Sequence, residues 1–247
     1  MRLVVAPLAL AALAACSSGA ASSGDAHPAS STTARPSSAS GSTTAPARSA
    51  NGLAPYIGHG SKVVLVGDSL ANGAEADTRR QLSSVAVAWN SYPGTTWPDW
   101  TARAASIAAM HPALVVVELG TNDLWDGWQD HDRTDLDALL AAVGAVPCLA
   151  LVNYASHGHV VDITDSPNPA YVPGEAIANR VLGQVASTRT AAGHPTVVAD
   201  WSQAAAGHAA WFDWDGVHFT AAGNRGWADW LAGIVHRITT TDRCRTG

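Results

Sequence analysis

The chain has 247 residues, of which 47% are hydrophobic and 14% charged, and its formal net charge is −6 at pH 7. This balance is typical of a globular protein and excludes an extended, solvated polymer. From residue 53 onward the chain has 19 Asp and Glu against 11 Lys and Arg, with Lys62 as the only lysine, so nucleic acid is not an expected partner.

The N-terminus has the pattern of an export signal. Arg2 precedes an apolar run over residues 3–15, which is too short to span a bilayer but suits a signal-peptide core. The run ends in the letters LAAC at Cys16, which resembles the lipobox of bacterial lipoproteins, where the cysteine is lipidated and becomes the mature N-terminus. We therefore expect residues 1–15 to be a signal peptide; an ordinary signal peptide with an incidental cysteine is the alternative.

A linker is predicted behind the signal. Residues 17–52 are almost entirely Ser, Ala, Thr, Gly and Pro, and such a segment cannot repay the entropy lost on folding. The expected organisation is a signal peptide, a lipidated and disordered segment over 16–52, and a folded domain over 53–247. The domain is then exported and held by a lipid anchor at the extracytoplasmic face of the cell membrane.

Short apolar runs predict five β-strands in the domain. The strands are expected at 63–66, 85–89, 114–119, 148–152 and 196–201, and helices at 72–83, 98–110, 135–143, 175–192 and 220–238. Continuous apolar runs fit strands that are buried on both faces, and the intervening segments are long enough for crossover helices. The predicted fold is a three-layer α/β/α sandwich with a five-stranded parallel sheet.

The sequence Gly-Asp-Ser-Leu at 67–70 follows the first predicted strand. It places the Ser69 hydroxyl at a strand-to-helix turn, where a helix N-terminus favours developing negative charge. A serine in such a turn is also a common helix N-cap. These four letters alone therefore leave both a nucleophile and a cap open.

Two possible oxyanion donors follow the next two strands. Gly94 comes after the second strand, and a residue without Cβ could turn its backbone N–H towards an oxyanion. Asn122, in the sequence Gly-Thr-Asn-Asp after the third strand, offers a side-chain amide. An Asx-turn is the alternative role for Asn122.

The segment over 154–174 is rich in Pro, Asp, Ser and His and predicts a long loop over one end of the sheet. His157, His159 and His208 lie in predicted loops without ligand spacing, so no metal site is expected.

Asp215 and His218 follow the fifth strand in the sequence Asp-Gly-Val-His. A spacing of three lets Asp215 reach one imidazole nitrogen while the other faces a nucleophile. Both residues, like Ser69, follow a predicted parallel strand, and the carboxyl ends of such strands meet at one edge of an open sheet. We therefore expect the three side chains to converge.

The segments 67–70, Gly94, 120–123 and 215–218, in this order, resemble the conserved sequence blocks of the SGNH/GDSL hydrolase family. The resemblance covers nearly all of residues 62–237. The resemblance implies a flavodoxin-like sandwich with Ser69 as nucleophile, His218 as base and Asp215 as the residue that orients it. It further implies an oxyanion hole formed by the backbone N–H groups of Ser69 and Gly94 and the Asn122 side chain. It implies neither a metal nor an organic cofactor.

Tryptophan is enriched in this chain, with 10 Trp against 2 Phe. Trp97, Trp125 and Trp214 lie within a few residues of the motifs, and an indole can stack on a sugar ring or wall an acyl pocket. We expect these three to contact substrate, with burial in the core as the alternative.

Cys148 and Cys244 are predicted to reach the same sheet edge, opposite the motifs. In an oxidising exterior they could form a disulfide. Two unrelated thiols are the alternative.

Three functions fit this pattern. The first is an extracytoplasmic serine esterase that hydrolyses an acyl or acetyl ester on a small molecule or a carbohydrate through an acyl-enzyme. The second is an O-acyltransferase that acts on a cell-envelope glycan, and the third is a non-catalytic glycan-binding lipoprotein. The oligomeric state is open, with a monomer as the default.

Overall fold

The computed structural model describes residues 52–241, and these form an α/β fold. The predicted signal peptide, Cys16, almost all of the linker and Cys244 lie outside the described residues, so lipidation, export and the Cys148–Cys244 disulfide stay predictions. Cys148 itself is buried directly before the fourth strand. Within residues 52–241, no helix combines the length and the apolar character that crossing a bilayer requires.

Five parallel strands form the sheet, in the spatial order β2-β1-β3-β4-β5. They are β1 (Lys62–Gly67), β2 (Ala86–Ser91), β3 (Leu114–Glu118), β4 (Leu149–Val152) and β5 (Thr196–Ala199). The chain passes from β1 to β2 on one side and then crosses to β3 on the other side of β1. This reversal opens a crevice at the carboxyl ends of β1 and β3, where open α/β sheets bind their ligands.

Within residues 52–241, six α-helices connect and cover the strands. They are α1 (Ser69–Gln81), α2 (Trp97–Ala104), α3 (Asp132–Val143), α4 (Tyr171–Ala191), α5 (Trp201–Ala205) and α6 (Ala221–Thr240). Helix α1 packs against α6, and α2 packs against α3. Every residue of β3 is buried although alternate side chains point to opposite faces, so helices cover both sides of the sheet. The predicted fold class is confirmed.

Several element boundaries differ from those that the sequence predicted. Helix α1 begins at Ser69 rather than at residue 72, because the Asp68 carboxylate caps the N–H of Leu70. Helix α4 begins at Tyr171, with Pro173 inside its first turn, a position at which proline is tolerated. The loop predicted over 154–174 is therefore shorter than expected.

Two further differences concern the ends of predicted elements. Strand β5 ends at Ala199, because the Asp200 side chain accepts a hydrogen bond from the Gln203 N–H and begins the unpredicted helix α5. Helix α2 ends at Ala104, and a separate 3₁₀ turn at Ala108–Met110 follows where a continuous helix was expected.

Candidate active site

Ser69 is the first residue of α1, directly behind the end of β1. The chain turns sharply here: a Cβ at Gly67 would collide with the side chain of Ala71 and would lie 3.1 Å from the Glu118 carboxylate. A glycine is therefore required for the strand to enter the helix at this angle. The turn brings the Ser69 hydroxyl to the edge of the sheet.

The first backbone N–H groups of a helix have no partner inside the helix, and most of those around Ser69 bond elsewhere. The Asp68 N–H donates to the Glu118 carbonyl, the Leu70 N–H to Asp68 Oδ1 and the Ala71 N–H to Glu118 Oε2. The Ser69 N–H forms no such bond within the residues that the structure describes. It is therefore available to a developing negative charge beside the Ser69 hydroxyl.

A chain of hydrogen bonds joins Ser69, His218 and Asp215. Ser69 Oγ lies 3.0 Å from His218 Nε2, and His218 Nδ1 lies 2.6 Å from Asp215 Oδ2. The three residues come from opposite ends of the chain, so the fold alone brings them together. The structure therefore shows the convergence of these side chains that the sequence predicts.

Asp215 is held as a charged acceptor. Partial burial raises its pKa, but hydrogen bonds donated by the N–H groups of Val217 and His218, both at 2.9 Å, and by the His218 ring outweigh burial, and the pKa of Asp215 is lowered. A carboxylate at Nδ1 can only accept, so this nitrogen carries the hydrogen and Nε2 is left to accept the Ser69 proton.

The turn that carries Asp215 is fastened to the loop that follows β4. Gly216 has a φ of +76°, and a Cβ there would lie 2.5 Å from the His157 carbonyl. The His157 N–H donates to the Gly216 carbonyl at 2.8 Å, and the Val161 N–H donates to the Asp215 carbonyl at 3.2 Å. The loop therefore fixes the backbone from which Asp215 and His218 project.

The two other predicted oxyanion donors have different surroundings. Asn122 Nδ2 donates to the Thr95 carbonyl at 2.9 Å and lies 3.5 Å from Asp68 Oδ2, so hydrogen bonds connect it to the Ser69 turn through Asp68. Gly94 is exposed and has a φ of +77°, and a Cβ built there would meet no atom beyond its chain neighbours within 4 Å. Their oxyanion roles stay predictions.

Three carboxyl groups near the Ser69 turn, of which Asp68 and Glu118 are buried and Asp123 is half-buried, are not among the predicted site residues. Burial raises the pKa of Asp68 to about 6 and that of Asp123 to about 7, and it raises the pKa of Glu118 well above its usual range. Asp123 accepts the Trp97 N–H at the start of α2 at 3.1 Å. In the sequence, the only indication of a role for Glu118 is that an acidic residue ends the apolar run Leu-Val-Val-Val-Glu.

The three tryptophans expected to contact substrate differ in how far they are exposed to solvent. Trp97 is only 1% exposed and packs against Trp128, which corrects the expectation of a substrate-facing side chain. Trp125 is half-buried, with its ring edge-to-face against Tyr171 at 5.8 Å. Trp214, next to Asp215, is 60% exposed.

A surface pocket of about 290 Å³ is lined by the segments 125–126 and 162–170. Trp125, Asp126, Asp162 and Ser166 are among its lining residues, and none of its lining residues is Lys or Arg. The Trp125 N–H donates to the Asn122 carbonyl at 3.3 Å, and Asp162 follows Val161, which is bonded to Asp215. Hydrogen bonds therefore connect the lining of the pocket to the segment of Asn122 and to the turn of Asp215.

Comparison with known proteins identifies a family and a shared fold. The model of the GDSL-like Lipase/Acylhydrolase family matches residues 65–226. No curated protein matches the chain in sequence.

Solved structures with the same fold include three from bacteria. The C-terminal catalytic domain of peptidoglycan O-acetyltransferase A from Streptococcus pneumoniae, with a methylsulfonyl adduct, has a TM-score of 0.57 and 21% identity, covering 74% of this chain and 97% of that one. A family 3 carbohydrate esterase from Clostridium thermocellum has a TM-score of 0.56 and 17% identity, covering 73% and 97%. A catalytic mutant of an acetylxylan esterase from Geobacillus stearothermophilus has a TM-score of 0.54 and 18% identity, covering 77% and 99%. At these identities the likeness shows the fold alone.

Replacing Asp215 with Asn tests the hydrogen-bond chain. The carboxamide can present an N–H to His218 Nδ1 and favour the wrong tautomer, so we expect covalent labelling of Ser69 by a fluorophosphonate to slow about 10³- to 10⁴-fold. The rate is measured by intact-protein mass spectrometry. Asp213→Asn is the matched control, because this exposed carboxylate bonds the Trp214 N–H on the same turn and not the imidazole. Equal labelling rates for wild type and Asp215→Asn would contradict the assignment.

Proposed function

The chain belongs to the GDSL-like lipase/acylhydrolase family, and from this premise we propose that it is an extracytoplasmic serine esterase that hydrolyses an acyl ester of a carbohydrate. The observation that carries the proposal is the hydrogen-bonded series Ser69–His218–Asp215. The extracytoplasmic location and the lipid anchor at Cys16 rest on the N-terminal sequence.

The proposed reaction begins with Ser69. As its hydroxyl oxygen attacks the ester carbonyl carbon, the proton passes to His218 Nε2, and the Asp215 carboxylate stabilises the imidazolium that forms. The Ser69 N–H, the Gly94 N–H and the Asn122 amide stabilise the oxyanion of the tetrahedral intermediate. His218 then protonates the alkoxide as the bond between the carbonyl carbon and the alcohol oxygen breaks.

An acyl-enzyme on Ser69 remains after the alcohol leaves. The His218 side chain is 50% exposed, so water can reach Nε2, lose a proton to it and attack the acyl carbon. This second attack releases the acid and restores the Ser69 hydroxyl. A sugar hydroxyl in the place of the water would give acyl transfer, so the product must be identified experimentally.

The surface pocket supports a carbohydrate as the alcohol part of the ester. An indole provides a flat apolar surface for the face of a sugar ring, and carboxylates accept hydrogen bonds from sugar hydroxyls. Hydrogen bonds from Thr164 and Ser166 lower the pKa of the Asp162 carboxyl and keep it charged. Two carboxylates without a neighbouring cation disfavour an anionic ligand, whereas a neutral sugar meets no such repulsion.

Turnover of simple esters tests the proposed function. The full chain in detergent should hydrolyse p-nitrophenyl acetate, and Ser69→Ala and His218→Ala should abolish turnover because each removes a group that forms or breaks a bond. Ser83→Ala and His194→Ala, at exposed positions, are the matched controls.

The products of this assay distinguish the candidate functions. Free acetate in the presence of a sugar acceptor supports hydrolysis, whereas an acetylated acceptor would establish a transferase. Absence of turnover by folded wild-type protein would overturn the esterase proposal and favour glycan binding without catalysis.

Trp125→Ala tests the carbohydrate part of the proposal. We expect kcat/KM for an O-acetylated disaccharide to fall about tenfold, the equivalent of about 1.4 kcal/mol, because the sugar loses its stacking surface. The value for p-nitrophenyl acetate should be unchanged, since this substrate has no sugar ring to stack on the indole. Trp125→Phe keeps an aromatic face and should lose less. Equal losses on both substrates would instead indicate a general disturbance of the site.

A further inference from the structure

Glu118 is a buried carboxyl group that the proposed reaction does not use. It is the last residue of β3, lies opposite Gly67 of β1, and is only 3% exposed. Two residues later the chain reaches Gly120 and the segment that carries Asn122. Glu118 therefore lies at the end of β3, next to the end of β1 that leads to Ser69 and before the segment that carries Asn122.

The hydrogen bonds of Glu118 cross from β3 to the start of α1. Its Oε2 accepts the N–H of Ala71 at 3.1 Å and the N–H of Asp68 at 3.4 Å. These two groups flank Ser69 on either side along the chain. One carboxyl oxygen thus holds the backbone on both sides of the Ser69 hydroxyl.

Asp68 extends this connection to Asn122. The Asp68 side chain is fully buried, and its charge acts on the Glu118 carboxyl and raises the pKa of that group. Its Oδ1 accepts the Leu70 N–H at 3.0 Å, and its Oδ2 lies 3.5 Å from Asn122 Nδ2. The two carboxyls therefore connect the Ser69 turn, the end of β3 and the Asn122 amide.

Two carboxylates in contact cannot both be ionised at this depth, because each is desolvated and they repel one another. Within residues 52–241, no Lys or Arg is among the main causes of the pKa shifts of the pair. The titratable side chains that face it are Asp123, Tyr154, Tyr171 and His218. The pair therefore holds one proton when the site is assembled.

The proton belongs on Glu118 rather than on Asp68. The Leu70 N–H stabilises the Asp68 anion, whereas burial and the Asp68 charge raise the pKa of Glu118 further than that of Asp68. Glu118 Oε2 already accepts two N–H groups, which leaves Oε1 to carry the hydrogen.

We propose that Glu118 is a positioning residue: as a neutral carboxylic acid it donates a hydrogen bond to the Asp68 carboxylate and so holds Ser69 and Asn122 in the arrangement that catalysis requires. The catalytic part of this inference rests on the proposed function. The protonation of Glu118 does not, and it can be measured without any substrate.

Glu118→Gln and Glu118→Met test whether the site needs a hydrogen-bond donor at this position, as opposed to a negative charge or a side chain of this length. Gln keeps a donor for Asp68 and an acceptor for Ala71, so Glu118→Gln should retain the wild-type kcat. Met has a similar length and neither group, so kcat should fall about 100-fold with little change in KM, as expected when reacting groups move by about 1 Å. Glu75→Gln is the matched control, because this half-buried glutamate lies on α1 in an ion pair with Arg79 and not at the Ser69 turn.

The pH dependence of stability tests the proton on Glu118 directly. A carboxyl whose pKa is raised in the folded state binds more protons there than in the unfolded chain, so the free energy of unfolding falls as pH rises from the ordinary value of 4.5 towards the raised value. Denaturant titrations should show this fall in wild type and Glu75→Gln, and a smaller fall in Glu118→Gln.

The kinetic and stability results for the two Glu118 variants can each overturn the proposal. Loss of kcat in Glu118→Gln would overturn the proposal, because it would mean that a carboxylate is needed. Full kcat in Glu118→Met would show that the contact does not position the site. If Glu118→Met fails to fold, Glu118→Gln decides: stability that depends on pH as in wild type would overturn the shared proton. Wild-type protein without turnover would count against the proposed function and leave the stability test in force.

Discussion

Parallel pairing of β1 with β3 is the constraint on which the site depends. Gly67 and Glu118, the last residues of the two strands, lie opposite one another, so the chain leaves the sheet twice at neighbouring points. One exit leads to Ser69 and the other to Asn122. Because β2 lies on the far side of β1, the two exits border the same crevice. His218 then reaches Ser69 from the segment before α6, and α6 packs directly against α1.

The same crevice explains why carboxyl groups are buried beneath the site. Helices α1 and α2 both begin here, and their first N–H groups need acceptors. Asp68 and Glu118 supply them for α1, and Asp123 supplies one for α2. Burial raises the pKa of all three groups, because a charged carboxylate loses its hydration at this depth. The Ser69 N–H is left out of this network, and it is the donor that an oxyanion on the Ser69 side would use.

The sequence predicted the parts of this account that depend on local patterns. Runs such as Leu-Val-Val-Val identify buried strands. The motifs after β1 and β5 predict the contact of Ser69 with His218 and Asp215, because parallel strands end at one edge of the sheet. The role of Glu118 was not predictable, since only strand register shows which backbone groups it faces. Trp97 was misjudged from its nearness to a motif, although the buried spacing of 97, 100 and 104 on α2 is that of a core-facing helix. The composition of residues 154–174 predicts a loop up to the start of the helix at 175, yet Pro173 and Gly174 lie in the first turn of α4.

In the proposed reaction Ser69 carries the acyl group, and trapping the acyl-enzyme shows whether it does. Protein quenched with acid during turnover of p-nitrophenyl acetate is digested, and the peptides are sequenced by mass spectrometry. We expect one acetyl group on Ser69, which is absent when the substrate is omitted. An acetyl group on a different side chain, with the Ser69 peptide unmodified throughout turnover, would contradict the proposed reaction.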